Sequence, residues 1–290
     1  MAVFVATDVA SAVERLDDRP ESIVLAGGTD LMVEVNDGRL RPLPDADVVA
    51  VNRIAELRSW RHDVAAATVT IGAAVTYSEM LAEPLAQLVP ALAEAARTVG
   101  SPQIRNAGTL GGNLGTCSPA GDGLPVLAAL GASAEVASTQ GRRSVPVVDV
   151  MQGPKRTTLG SGDLIVSFTL PVTDGWQGYA KVGVRNAMVI AIASTCLVLD
   201  RQRRSVGLAL GSVGPTVLRA PELEAAFAAA LDWRTMSVHA DAVRTFADGA
   251  AAFAAPIDDH RASADYRRHA IGVLTRRLAA RGLDALGAAA

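Results

Sequence analysis

The sequence reads as an α+β protein, and three observations lead there. Residues 1–52 alternate strand-like and helix-like segments, residues 53–172 mix short strands with helices, and the stretch from 175 onward runs through three strands and then three helices. The chain has 290 residues, 50% of them hydrophobic and 20% charged. That length suits about two domains, and the balance is that of a globular chain rather than a disordered one.

Taken in order, Thr7 or Asp8 is a cap for a helix through Ala12, Val13 and Leu16 that Pro20 ends. Residues 22–26 (SIVLA) and 47–51 (DVVAV) read as short buried strands flanking an amphipathic stretch from Thr29-Asp30, the order of a small parallel βαβ unit. In the next region Ile54 to Leu57 forms a helical turn, 68–73 (TVTIGA) alternates as a strand, and 78–88 and 91–99 read as helices broken at Pro90. Glycine-rich text follows from 100 to 123, then strand candidates at 133–137, 144–148 and 165–170. Beyond Gly175, strands are expected at 179–184, 192–199 and 206–210 and helices at 221–231, 237–253 and 266–286, with a frayed end at 287–290.

Charge and composition exclude several functions. With 27 Lys and Arg against 30 Asp and Glu, the net charge of −3 creates no global field for nucleic acid or anionic lipid, and 4% aromatics make a poor base-stacking surface. The longest apolar run, Val189 to Leu199, has 11 residues, short of the roughly 18–20 of a membrane span. The first residues, MAVFVATD, lack the basic region of a secretory signal, so a soluble cytoplasmic protein is expected. Two cysteines, Cys117 and Cys196, cannot hold an iron–sulfur or Cys-only zinc site, and His62, His239, His260 and His269 follow no ligand spacing. Both cysteines read as core residues, the histidines as surface residues, and Arg267-Arg268 with Arg276-Arg277 as a solvated basic helix face.

Two glycine loops carry the chemistry, Ala26-Gly27-Gly28-Thr29-Asp30 and Thr109-Leu110-Gly111-Gly112-Asn113. Glycine lets a ligand approach the backbone, and successive N–H groups in such a turn form an anion-binding nest. A helix starting after the first loop would add its positive end. Facing each other across a cleft, the loops suit the two phosphates of a dinucleotide, with Thr29 and Thr109 as hydroxyl donors. Asp30 is repulsive to phosphate and is expected to cap backbone amides or point away, whereas Asp122 can accept from a ribose hydroxyl or ring N–H. Neither GxGxxG nor GxxxxGK[ST] occurs, which argues against a nicotinamide domain or a P-loop, and each Gly-Gly alone is also compatible with a plain turn.

The combination of QIRNAGTLGGN at 103–113, SPAGD at 118–122 and LAGGTDL at 25–31 closely resembles the FAD-binding medium subunit of molybdenum hydroxylases, the xanthine dehydrogenase and carbon monoxide dehydrogenase family. TIGA at 70–73, YAK at 179–181 and RASADYRR at 261–268 fall at the matching places, so the resemblance spans nearly the whole chain. It implies a vanillyl-alcohol-oxidase-type fold, with an FAD-binding domain at 1–172 (subdomains 1–52 and 53–172) and a C-terminal domain of three strands and helices at 175–290. It further implies non-covalent FAD contacted by Leu25, Ala26, Gly27, Gly28, Thr29, Asp30, Leu31, Val99, Thr109, Leu110, Gly111, Gly112, Asn113, Asp122, Ile165 and Lys181. Ile165 would pack on the flavin, and Lys181 would place a cation near it.

In this family the substrate is oxidised at molybdopterin in a large subunit, and electrons pass through 2Fe–2S clusters of a small subunit to FAD. The resemblance therefore implies both partners, a dimer of heterotrimers, and an acceptor such as NAD or oxygen. The first loop reads GGTD rather than the GGHS of carbon monoxide dehydrogenases, which points away from carbon monoxide as substrate. A free-standing flavin reductase and an FAD-free assembly subunit stay open, the intact glycines and Asp122 weighing against the second.

Overall fold

A computed structural model describes residues 2–39 and 46–287. Its first unit is a three-stranded parallel sheet, with Val48–Ala50 between Val3–Val5 and Ile23–Leu25. Val3–Val5 is an addition to the expected βαβ pair, too short and too exposed to stand out by hydrophobicity. Helix Val9–Asp18 buries Val9, Ala12, Val13 and Leu16, one helical stripe, and of the two candidate caps it is Asp8 whose carboxylate accepts from the Ser11 N–H at 2.8 Å. Helix Leu31–Asn36 follows the first glycine loop, as the amphipathic stretch predicts.

The second unit is an antiparallel five-stranded sheet in the order Trp60–Asp63, Thr68–Gly72, Leu164–Pro171, Ser133–Ser138, Gly141–Pro146. Leu164–Pro171 is its centre and is buried on both faces, which explains its continuous apolar text. The expected helix at 78–88 is instead a 3-10 turn, Glu79–Leu81, and a short helix, Leu85–Leu88, because Pro84 between them lacks the N–H to continue a ladder. Pro90 opens the next helix, Pro90–Thr98, at its first turn. The strand expected at 144–148 ends at Pro146, where helix Val147–Val150 begins. The glycine-rich text also hides two helices, Pro102–Ala107 and Leu110–Thr116.

The C-terminal sheet has four strands rather than three, Gly175–Val182, Ala193–Asp200, Ser205–Gly211 and the two-residue Leu218–Arg219. Every residue of Ala193–Asp200 is buried because both faces of the sheet are covered. One face sends Tyr179, Cys196, Val198 and Ala209 into the core of the first two sheets. The other sends Ala193, Leu197, Leu199 and Leu208 into a second core under helices Pro221–Ala230, Ala240–Phe253 and Ala264–Gly287, where Phe227 and Phe246 stack at 4.1 Å. Both cysteines are buried and all four histidines are exposed. Arg267 corrects the expectation of a solvated basic face. It is 4% exposed, its guanidinium donates to the carbonyls of Ile192 and Ser212 and to Asp259, and only Arg276 and Arg277 stand fully in solvent. Of the expected frayed end, residues 288–290 lie outside the described residues.

Candidate functional site

A cleft of about 720 Å³ runs between the parallel sheet and the antiparallel sheet. That volume lies within the roughly 300–1,000 Å³ of cofactor pockets. Every residue implied by the resemblance lines it except Leu110, which is buried in the core, and Lys181, which stands behind Asp122. The first glycine loop leaves strand Ile23–Leu25 and enters helix Leu31–Asn36, so its amides point along the positive end of a helix. Among the described residues the N–H groups of Gly27, Gly28 and Thr29 have no hydrogen-bond partner. Asp30 sits at the N-cap position without making a side-chain cap bond, so the expected capping role is not seen.

The second loop is built differently. Thr109 caps helix Leu110–Thr116 by accepting from the Gly112 N–H at 3.0 Å, while Leu110 and Gly111 donate to the carbonyls of Val75 and Ala73 at 3.3 and 2.8 Å. Apart from that of Thr109, its amides are therefore engaged inside the protein, and it is not the second nest that its glycines suggest. What it offers the cleft is the Thr109 hydroxyl hydrogen, free because the oxygen is accepting, and the Asn113 amide nitrogen, free because Oδ1 accepts from the Gly123 N–H at 3.1 Å. The Gly-Gly pairs are explained by contact. A Cβ on Gly27 would lie 1.9 Å from the Ala107 carbonyl oxygen, and one on Gly111 would lie 2.6 Å from the Ala73 Cβ. Glycine thus lets the first loop touch the QIRNAG segment and lets the second helix sit on the end of strand Thr68–Gly72.

The rest of the QIRN motif braces this arrangement. Arg105 donates to the carbonyls of Val99 and Gly100, both at 2.9 Å, and the Ser78 hydroxyl donates to Asn106. Ile165 reaches the cleft beside Leu164 because a β-bulge between Ile165 and Ser167 breaks the alternation of the central strand. Asp122 is buried, with Lys181 Nζ donating to it at 2.6 Å and the Tyr179 hydroxyl at 2.7 Å. Lys181 also donates to the carbonyls of Thr98 and Val189, so its charge is fully engaged. Burial raises the Asp122 carboxyl, and the Lys181 charge and the two hydrogen bonds oppose that rise. Burial likewise raises the Cys117 thiol, leaving it no nucleophile.

Sequence reasoning missed other cleft residues. Tyr77 lies on the wall between the loops, and Met188, Val189 and Ile190 close one side. Lys155, in the turn of the short hairpin Met151–Gly153/Arg156–Thr157, and Glu34, on helix Leu31–Asn36, both line the cleft and form an ion pair. No spacing rule links these positions, since they meet only through the packing of the sheets. Among the described residues no three His, Cys, Asp or Glu side chains form a metal-ligand group, and no helix is long and apolar enough to cross a membrane. The cradle fits a dinucleotide such as FAD, with bare amides at one loop, a free hydroxyl and amide at the other, and an apolar wall at Leu164 and Ile165.

Residues 1–173 match the family model described as the FAD binding domain in molybdopterin dehydrogenase, and residues 179–281 match the CO dehydrogenase flavoprotein C-terminal domain. The chain is 32% identical to the glyceraldehyde dehydrogenase medium chain of Sulfolobus acidocaldarius over 94% of each chain. It is 29% identical to a putative xanthine dehydrogenase FAD-binding subunit of Escherichia coli, over 97% of this chain and 96% of that one. Among solved structures, the carbon monoxide dehydrogenase from Hydrogenophaga pseudoflava superposes with a TM-score of 0.85 at 30% identity, covering 98% of this chain and 97% of that one. Quinoline 2-oxidoreductase from Pseudomonas putida, at 23% identity over 99% of this chain and 98% of that one, shares the fold with a TM-score of 0.88. With both halves matched and relatives aligned nearly end to end, the chain belongs to the FAD-binding medium subunits of the molybdenum hydroxylase family, oxidoreductase subunits built on an α+β flavoprotein fold.

Proposed function

We propose that this chain is the electron-transfer subunit of a cytoplasmic molybdenum hydroxylase complex, receiving electrons from 2Fe–2S clusters of a small subunit and delivering them to NAD or oxygen. Substrate oxidation belongs to a large molybdopterin subunit, and the assembly is a dimer of heterotrimers. The observation that carries the reading is the match of both halves to flavoprotein family models, together with relatives named medium chains. Non-covalent FAD supplies, when bound, the capacity to take up and release electrons one or two at a time.

The chain's own residues bind and orient. Leu25 to Leu31, with Thr109 and Asn113, would hold the pyrophosphate region, Gly111 and Gly112 would leave room for it beside the second helix, and Val99, Leu164 and Ile165 would exclude water from the flavin. Leu110 supports the second helix from the core. Asp122, paired with Lys181 and oriented by Tyr179, would accept hydrogen bonds from the cofactor, so Lys181 acts through Asp122. In this reading the purified, FAD-loaded chain reduces a dye with NADH slowly and oxidises no aldehyde, purine or N-heterocycle until the two partner subunits are added. Substrate turnover by the single chain overturns it.

A further inference from the structure

Two tyrosines lie equally deep beside the site, and only one has its hydroxyl engaged. Tyr179 is 4% exposed and donates to Asp122 at 2.7 Å. Tyr77 is 5% exposed and lines the cleft, yet among the described residues its hydroxyl has no partner. The ring is buried, but the hydroxyl oxygen is not one of the fully buried polar atoms left without a partner, so it opens onto the cleft, where a polar ligand group can meet it.

The surroundings of Tyr77 define what that ligand is. Its N–H donates to the Gly108 carbonyl at 3.1 Å, and its ring lies 3.2 Å from where a Gly108 Cβ would be. Gly108 is also the residue against which Gly27 of the first loop packs. The Tyr77 ring and Gly27 thus both pack on Gly108, and Tyr77 lines the same cleft as the unpartnered amides of Gly27, Gly28 and Thr29. Burial and the negative charges of Asp122 and Asp30 hold the phenol well above its usual range, so it keeps its proton and can donate to an anion.

We propose that Tyr77 is a cofactor-binding residue, its phenolic O–H donating to the pyrophosphate of FAD between the two loops. The proposal rests on the FAD reading of the cleft. Tyr77→Phe keeps the ring and removes only the donor, so its test is a comparison of cofactor-free full-length protein, wild type and variant, titrated calorimetrically with FAD, with adenosine diphosphate and with riboflavin. Loss of one hydrogen bond to a charged group is expected to weaken FAD and adenosine diphosphate about 10-fold each. Riboflavin binding and the melting temperature of the cofactor-free protein are expected to stay unchanged.

Equal FAD affinity in the two proteins overturns the proposal, and so does a variant that no longer folds, since the phenol is then part of the core. Weakened FAD with unaltered adenosine diphosphate also overturns it, because the hydroxyl then serves the flavin end. Failure of adenosine diphosphate to displace FAD from the wild type does the same. Absence of FAD binding by the wild type would instead reject the reading on which the proposal rests.

Discussion

Gly27 and Gly115 both border the cleft, and nothing in their local text ranks one above the other. Their surroundings do. At Gly27 a methyl group would overlap the Ala107 carbonyl, a backbone atom that no rotamer change can move away. Gly27→Ala is therefore expected to destabilise the cofactor-free protein by about 1–3 kcal/mol and to weaken FAD binding, by pushing the first loop off the QIRNAG segment. At Gly115, inside helix Leu110–Thr116, nothing lies within 4 Å of an added Cβ. Gly115→Ala is expected to stabilise the cofactor-free protein by up to about 1 kcal/mol through helix propensity. Urea unfolding of both variants checks the pair, and the idea fails if Gly27→Ala is neutral.

The long helix Ala264–Gly287 is anchored by a residue whose charge suggests a solvent-facing role. Arg267 is inside because two strand-end carbonyls and Asp259 present acceptors to it, a match that lies 8 to 75 positions away in the chain. Burial pushes Asp259 up, but the N–H groups of Arg261 and Ala262 and the Arg267 guanidinium outweigh it and hold the carboxyl at about 2. The unfolded-chain value is about 3.9, so this group is depressed on folding. Its contribution to stability is complete above about pH 4 and is lost as the pH falls toward 2. Wild type is thus expected to melt above Asp259→Asn at pH 7, with the gap closing between about pH 4 and pH 2. A gap that stays constant down to pH 2 would contradict the assignment.

In the whole molecule, the four-stranded sheet is shared. Its inner face completes the core of the flavin-binding half, and its Lys181 neutralises Asp122 in the cleft. The two family segments, 1–173 and 179–281, are therefore expected to unfold together. Trp60 packs on the first core, whereas Trp176 and Trp233 pack on the second, so each region has its own fluorescent reporter. Variants retaining Trp60 alone or Trp176 alone are expected to show the same urea midpoint. Two separated midpoints would mean that the halves are independent and that the Asp122–Lys181 pair does not couple them.

Periodicity and turn chemistry made the elements legible along the chain. Helix Val9–Asp18 has its stripe and cap, and the apolar run at 192–199 is a central strand, because both patterns are set by neighbours close in sequence. The glycine loops and Asp122 were legible as a candidate cofactor site from local motifs, whereas the close approaches that require Gly27 and Gly111 are to Ala107 and Ala73, brought near only by packing. Packing alone decided which amides stay free, that the second loop is a closed helix start, that Lys181 reaches Asp122 from 59 positions away, that a bulge turns Ile165 to the cleft and that the Tyr77 hydroxyl has no partner among the described residues. Hydrogen-bond satisfaction and burial depend on atoms brought together from distant segments, and no local pattern encodes which donors will be left over when the sheets close on one another.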